Sequence, residues 1–271
     1  MKTKLQQSII IISSILLTQP TLFAKISILS PWSLQDRTST EKGKFDQSVK
    51  IQPGVNGVSP SGGDVDTTFE SFPYELSYGL LDKMEIGAGW GVANVDRRNK
   101  SAQFGLTDLM IAARYRFFDA NRIERMPGLD IEAGLSLPTA SFEKGLGTGG
   151  LGILFGCGLV LPLDPVKAHF GLGYRFNTEN SDDVQVGSIF SYVAGITIPW
   201  KETLSLTGEL KGFNHSRNKK SGTKTGPTPD ELYLSPGSIW KINERFQMAG
   251  TVLIGLTAHS SDIGFNLELQ F

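Results

Sequence analysis

One cysteine, Cys157, stands in 271 residues, so no internal disulfide framework can hold this chain together. The net charge is only -1, which leaves no bulk field to draw the protein to nucleic acid or to an anionic membrane surface. Histidine is scarce, at His169, His215 and His259, and no strong catalytic motif surrounds any of them. Neither a cofactor nor a metal is expected, and the chain does not read as an enzyme. Beyond residue 24 there is also no long apolar run, whereas a spanning helix takes roughly 20 apolar residues. An exported chain without such a run is either soluble or crosses a membrane as a closed barrel of strands.

Export is indicated by the first residues, "MKTKLQQSIIIISSILLTQPTLFA". Lys2 and Lys4 precede an apolar stretch from Ile9 to Leu17, and the small Ala24 stands before Lys25. That order is the layout of a cleaved signal peptide, and the stretch is interrupted too early to be an anchor. The expected division is a signal peptide over 1–24, a periplasmic segment over 25–43 and a barrel over 44–271.

From residue 44 onward, segments of about ten residues alternate apolar and polar side chains between turn residues, the signature of transmembrane strands. In "FESFPYELSYGLLDKMEIGAGWGV", Phe72, Tyr74, Leu76 and Tyr78 share one face, and Pro73, Glu75 and Ser77 the other. After a tight turn at 80–83, Met84, Ile86, Ala88, Trp90 and Val92 oppose Glu85 and a row of glycines. Similar alternation recurs at 44–55, 109–117, 129–137, 151–159, 166–176, 188–199, 203–213, 245–257 and 262–271. The weakest segment is 231–241, with Pro236 in its middle. The count is about twelve, and bacterial antiparallel barrels have even numbers. Tight turns at 80–83, 162–165, 199–202 and 241–244 alternate with longer polar connections at 56–68, 93–104, 139–149, 177–187 and 214–229. Such alternation suits one rim facing the periplasm and the other the outside. The predicted fold is therefore all-β, a transmembrane antiparallel up-and-down β-barrel.

The phase of alternation selects the candidate lumen residues. Glu75, Glu85, Asp108, Arg114, Arg116, Asp130, Glu132, Lys167, His169, Arg175, Glu209 and Lys211 all oppose the apolar stripe. On the lipid side a Lys or Arg at the midplane would cost roughly 2–4 kcal/mol, so these groups are expected inside. The same alternation puts Phe271 at the end of a closing strand, where it resembles the terminal signal read by barrel-assembly machinery. "GLGTGG" at 145–150 has no helix after it to complete a phosphate cradle and reads as a loop. The basic run "HSRNKKSGTKTG" reads as a solvated loop, with contact to anionic phosphates as its functional alternative. Two other roles compete with a channel: a lipid hydrolase using His259 and Ser261, and a structural or adhesive barrel with a plugged lumen.

Several of these stretches carry a resemblance: "EKGKF", "LSYGLLDKMEIGAGWGV", "LTDLMIAARYRF", "LSLPTASFEKGLGTGG", "FGLGYRFN" and the terminal "LELQF". The chain resembles the outer-membrane family labelled putative MetA-pathway of phenol degradation. Pro-Thr-Ala at 138–140 stands where that family tends to have Pro-Thr-Gly, and the acidic start before the first strand is reduced to "LQDRTST". The resemblance implies a roughly twelve-stranded outer-membrane channel for small solutes, including hydrophobic or aromatic compounds. The barrel is expected to be a monomer whose partners are outer-membrane lipids, the barrel-assembly machinery and a small-molecule solute, with no nucleic acid.

Overall fold

The computed structural model describes residues 40–51, 67–97, 101–121, 123–226, 228, 230–243, 246–260 and 263–271. The N-terminal signal-peptide region and Ser261 lie outside them.

Alternation decides the architecture. Strands β1 (Phe45–Ile51), β2 (Thr67–Leu81), β3 (Met84–Arg97), β4 (Gln103–Leu106), β5 (Leu109–Phe118), β6 (Gly128–Leu137), β7 (Gly152–Leu163) and β8 (Val166–Asn177) are followed by a short β9 (Val184–Gln185). Then come β10 (Ile189–Lys201), β11 (Leu204–His215), β12 (Asn218–Lys220), β13 (Thr223–Thr225), β14 (Asp230–Lys241), β15 (Gln247–Gly255) and β16 (Ile263–Gln270). Each long strand pairs antiparallel with its neighbours, and β1 pairs with both β2 and β16, so the sheet closes as a 12-strand barrel. Phe271 completes the closure: its N–H donates to Gln47 O at 3.0 Å, and Gln47 N–H donates back at 3.0 Å.

The wall is inside-out relative to a water-soluble protein. Along β2 the apolar Phe72 is 46% exposed while Glu75 is 4% exposed. Every stave repeats the pattern, because only a lipid-facing surface accepts such a belt of exposed Ile, Leu and Phe. Aromatic pairs stand on the outer surface, Phe45 with Tyr78 at 4.7 Å and Tyr74 with Trp90 at 4.9 Å between ring centroids.

Three local departures from sequence expectation have physical causes. Pro236 does not interrupt its strand. It faces outward opposite Gly208, and the β14–β15 ladder lapses between Leu234↔Ile254 and Gly237↔Thr251, where its missing N–H costs nothing. The connection expected at 93–104 is partly strand: β3 continues to Arg97, and β4 pairs with it. Below Gly89, β3 pairs instead with β5, so β4 and β5 form one stave broken at Thr107–Asp108. The connections at 177–187 and 214–229 carry β9, β12 and β13, which pair into a small separate sheet at the long-loop rim.

Candidate functional site

The inner wall is built by register. Glu85 on β3, Arg114 on β5 and Glu132 on β6 are consecutive partners across the ladder, so their side chains lie side by side. Arg114 Nη2 is 2.6 Å from Glu85 Oε1, and both side chains are 3% exposed. One step nearer the short-turn rim, Arg116 grips Asp130 with two nearly parallel bonds, Nε to Oδ1 at 2.7 Å and Nη2 to Oδ2 at 3.1 Å. At the closing seam Lys50 lies between Glu75 at 3.4 Å and Glu268 at 3.9 Å. These buried pairs answer the cost of taking single charges out of water.

A glycine lets a further pair form across an intervening strand. Gly195 on β10 is the register partner of both His169 on β8 and Glu209 on β11. Having no side chain, it lets His169 Nε2 and Glu209 Oε1 meet above it at 3.0 Å, and a Cβ there would sit 2.5 Å from Nε2. Lys211 Nζ holds the other carboxylate oxygen of Glu209 at 2.8 Å.

Toward the long-loop rim the inner wall becomes more apolar, and a loop turns into it. Leu146 is 2% exposed and packs with Ala93 and Val95 on the inner face of β3, joined by Ala140. Asp108, at the break between β4 and β5, anchors this loop. Its Oδ2 accepts from Thr148 N at 2.9 Å and Thr148 Oγ1 at 3.2 Å, and its Oδ1 from Ala140 N at 3.1 Å. Thr139 Oγ1 accepts from Leu109 N at 2.9 Å, where the β5–β6 ladder ends. Asp108→Asn presents an amide that can accept on one side only and meets a backbone donor with a donor on the other. Loosening of the 138–150 loop is expected, read as a larger and noisier single-channel current and as faster proteolysis within 141–147. Unchanged current and cleavage would remove Asp108 from this role.

The opposite mouth is narrowed by the chain just before β1. Thr40 N donates to Glu85 Oε2 at 2.9 Å, and Gly43 N donates to Gly79 O at 2.8 Å. Gly79 is required here, since any Cβ would overlap the carbonyl of Glu41. The described end of the 25–43 segment thus lies within the barrel mouth.

All of the candidate lumen residues stand on the inner phase of their staves. Glu75, Glu85, Asp108, Arg114, Asp130, Glu132, His169, Arg175, Glu209 and Lys211 are buried, while Arg116 and Lys167 nearer the rim are half-buried. Asp108 differs from the rest in serving the loop and not the strand ladder. Sequence reading passed over Lys50, although it alternates with Val49 and Ile51. It placed His215 in a solvated loop, whereas His215 ends β11 and is buried, its Nε2 3.1 Å from Glu231 Oε1, with Tyr233 OH donating to Oε2 at 2.6 Å. His259 is exposed at the long-loop rim.

Comparison with known proteins agrees with this architecture. The family model described as "Putative MetA-pathway of phenol degradation" matches residues 54–271. The COG4313 outer membrane channel from Pseudomonas putida F1 superposes with a TM-score of 0.70 at 16% identity, over 87% of this chain and 98% of that one. The translocator domain of autotransporter NalP from Neisseria meningitidis follows with 0.57 at 10% identity, over 93% and 94%. The NanC porin gives 0.51 at 7% identity, over 84% and 98%. At these identities the likeness is one of fold.

Proposed function

We propose, for a chain that belongs to the family described as "Putative MetA-pathway of phenol degradation", the role of an outer-membrane channel through which small solutes diffuse. The observation that carries this reading is the lumen wall. Here carboxylates, guanidinium groups and hydroxyls occupy the inner phase of nearly every stave, which gives the interior a polar lining. Carboxylates and cations lie next to each other, so the path is polar without favouring one sign of ion. Apolar inward side chains near the long-loop rim, among them Leu146, Leu154 and Val95, suit solutes with a hydrophobic or aromatic body. The chain reaches its membrane by export with cleavage near Ala24, is inserted by the barrel-assembly machinery and works as a monomer among outer-membrane lipids. The short-turn rim then faces the periplasm.

Planar-bilayer recording of the purified protein is the test. Discrete, small conductance steps are expected, with swelling of liposomes in small but not large solutes. Removing residues 25–43 should raise the step size, since Thr40 then no longer stands against Glu85. Heat-modifiable, correctly assembled protein that gives neither current nor swelling would refute the channel role.

A further inference from the structure

Resting on the channel reading, we infer that the upper lumen carries a binding site for a small carboxylate with an apolar body, centred on Arg175. The other deeply buried cations of the inner wall have carboxylates in contact: Lys50 with Glu75, Arg114 with Glu85, Lys211 with Glu209. Arg175, 3% exposed, enters no ion pair among the described residues. Its Nε donates to Asn177 Oδ1 at 2.7 Å and its Nη2 to Ser136 Oγ at 3.2 Å, both neutral acceptors. Nη1 is buried with no hydrogen-bond partner.

A guanidinium has five N–H donors in a planar fork, and burying it without a counter-charge is costly. Asp108 is close enough to act on it electrostatically. That carboxylate, however, already accepts the N–H of Ala140 and both the N–H and the hydroxyl of Thr148. It offsets part of the charge while leaving Nη1 unsatisfied.

The flanks say what kind of anion fits. Arg175 is the register partner of Leu154 on β7 and of Ile189 on β10, which are 1% and 5% exposed on the same inner face. A cation between two aliphatic side chains disfavours a strongly hydrated inorganic anion, which would have to shed its water against apolar surface. It favours a carboxylate that takes the fork while its ring or short alkyl body rests on Leu154 and Ile189. Arg175, Leu154 and Ile189 are covered in this structure, so binding requires the 138–150 loop, which Asp108 anchors through Thr148, to lift on the long-loop side.

The experiment uses the full mature chain and three probes: benzoate, its neutral analogue benzamide, and acetate, which has the charge without the body. Block of single-channel current and equilibrium dialysis in detergent are measured for wild type, Arg175→Gln, Arg175→Lys and Ser136→Ala. Wild type is expected to prefer benzoate to acetate by at least about tenfold, through burial of the ring. It should prefer benzoate to benzamide by about tenfold, the order separating a charge-assisted from a neutral hydrogen bond. Arg175→Gln should abolish that preference, Arg175→Lys weaken it and Ser136→Ala retain it. Equal affinity for benzoate and benzamide in wild type overturns the site, as does an undiminished preference in Arg175→Gln. Should Arg175→Gln fail to assemble, the wild-type comparison of the three probes decides alone. Benzoate binding without any current would sink the channel role and leave the site, whereas current without benzoate preference would sink the site and leave the channel.

Discussion

Arg114→Ala is expected to lower the stability of the assembled barrel by about 3–5 kcal/mol, the range for removing one partner of a buried ion pair. The size follows from what remains. Arg114 stands between Glu85 and Glu132 in the ladder, and its loss leaves two buried carboxylates on neighbouring inner positions with no cation between them. Like charges at neighbouring buried positions repel strongly. Urea titration of the heat-modifiable band in detergent would read the change. Replacing Glu85, Arg114 and Glu132 together by apolar residues of similar volume should restore most of the loss, because a buried pair is stabilising mainly against its own broken halves. If the single variant were as stable as wild type, the pair would contribute little to the fold.

Loss of Phe271 is expected to lower the yield of assembled protein several-fold while leaving any solute preference intact. Phe271 exchanges both backbone hydrogen bonds with Gln47, so its removal opens the last rung joining β16 to β1. Each such bond is worth about 0.5–1.5 kcal/mol net in folded proteins, and in lipid an unpaired backbone group has no water to turn to. The exposed ring also leaves the rim, where amphipathic side chains hold barrels at the head-group level. The fraction of folded barrel recovered from membranes, compared with the single-channel current per assembled molecule, separates the two effects. Normal yield with altered solute discrimination would contradict this account.

Much of the barrel was legible because alternation is a local property. The face on which Glu75 or Glu132 would lie follows from its immediate neighbours, and so does the turn between Leu81 and Met84. What was not legible depends on register between strands distant in sequence. Nothing near His169 announces Glu209; they meet because two ladders both place Gly195 between them. The inward turn of the 138–150 loop was hidden for a similar reason. Asp108 reads as one more inward charge until its distant donors at Ala140 and Thr148 are known. Pro236 misled in the opposite sense, since a proline rule is stated for continuous ladders and this ladder has a gap at that point.

The pairing of β1 with β16 also bears on timing. Ile51 and Leu267 are register partners from near opposite ends of the barrel's sequence, so closure spans almost its whole length. The hairpins can each form from neighbouring segments, whereas this rung joins strands far apart in the sequence. Closing so long a loop carries an entropic penalty that local hairpins do not share. Without this pairing the sheet would keep two unpaired edges. Before closure those edges are open to pairing with another chain.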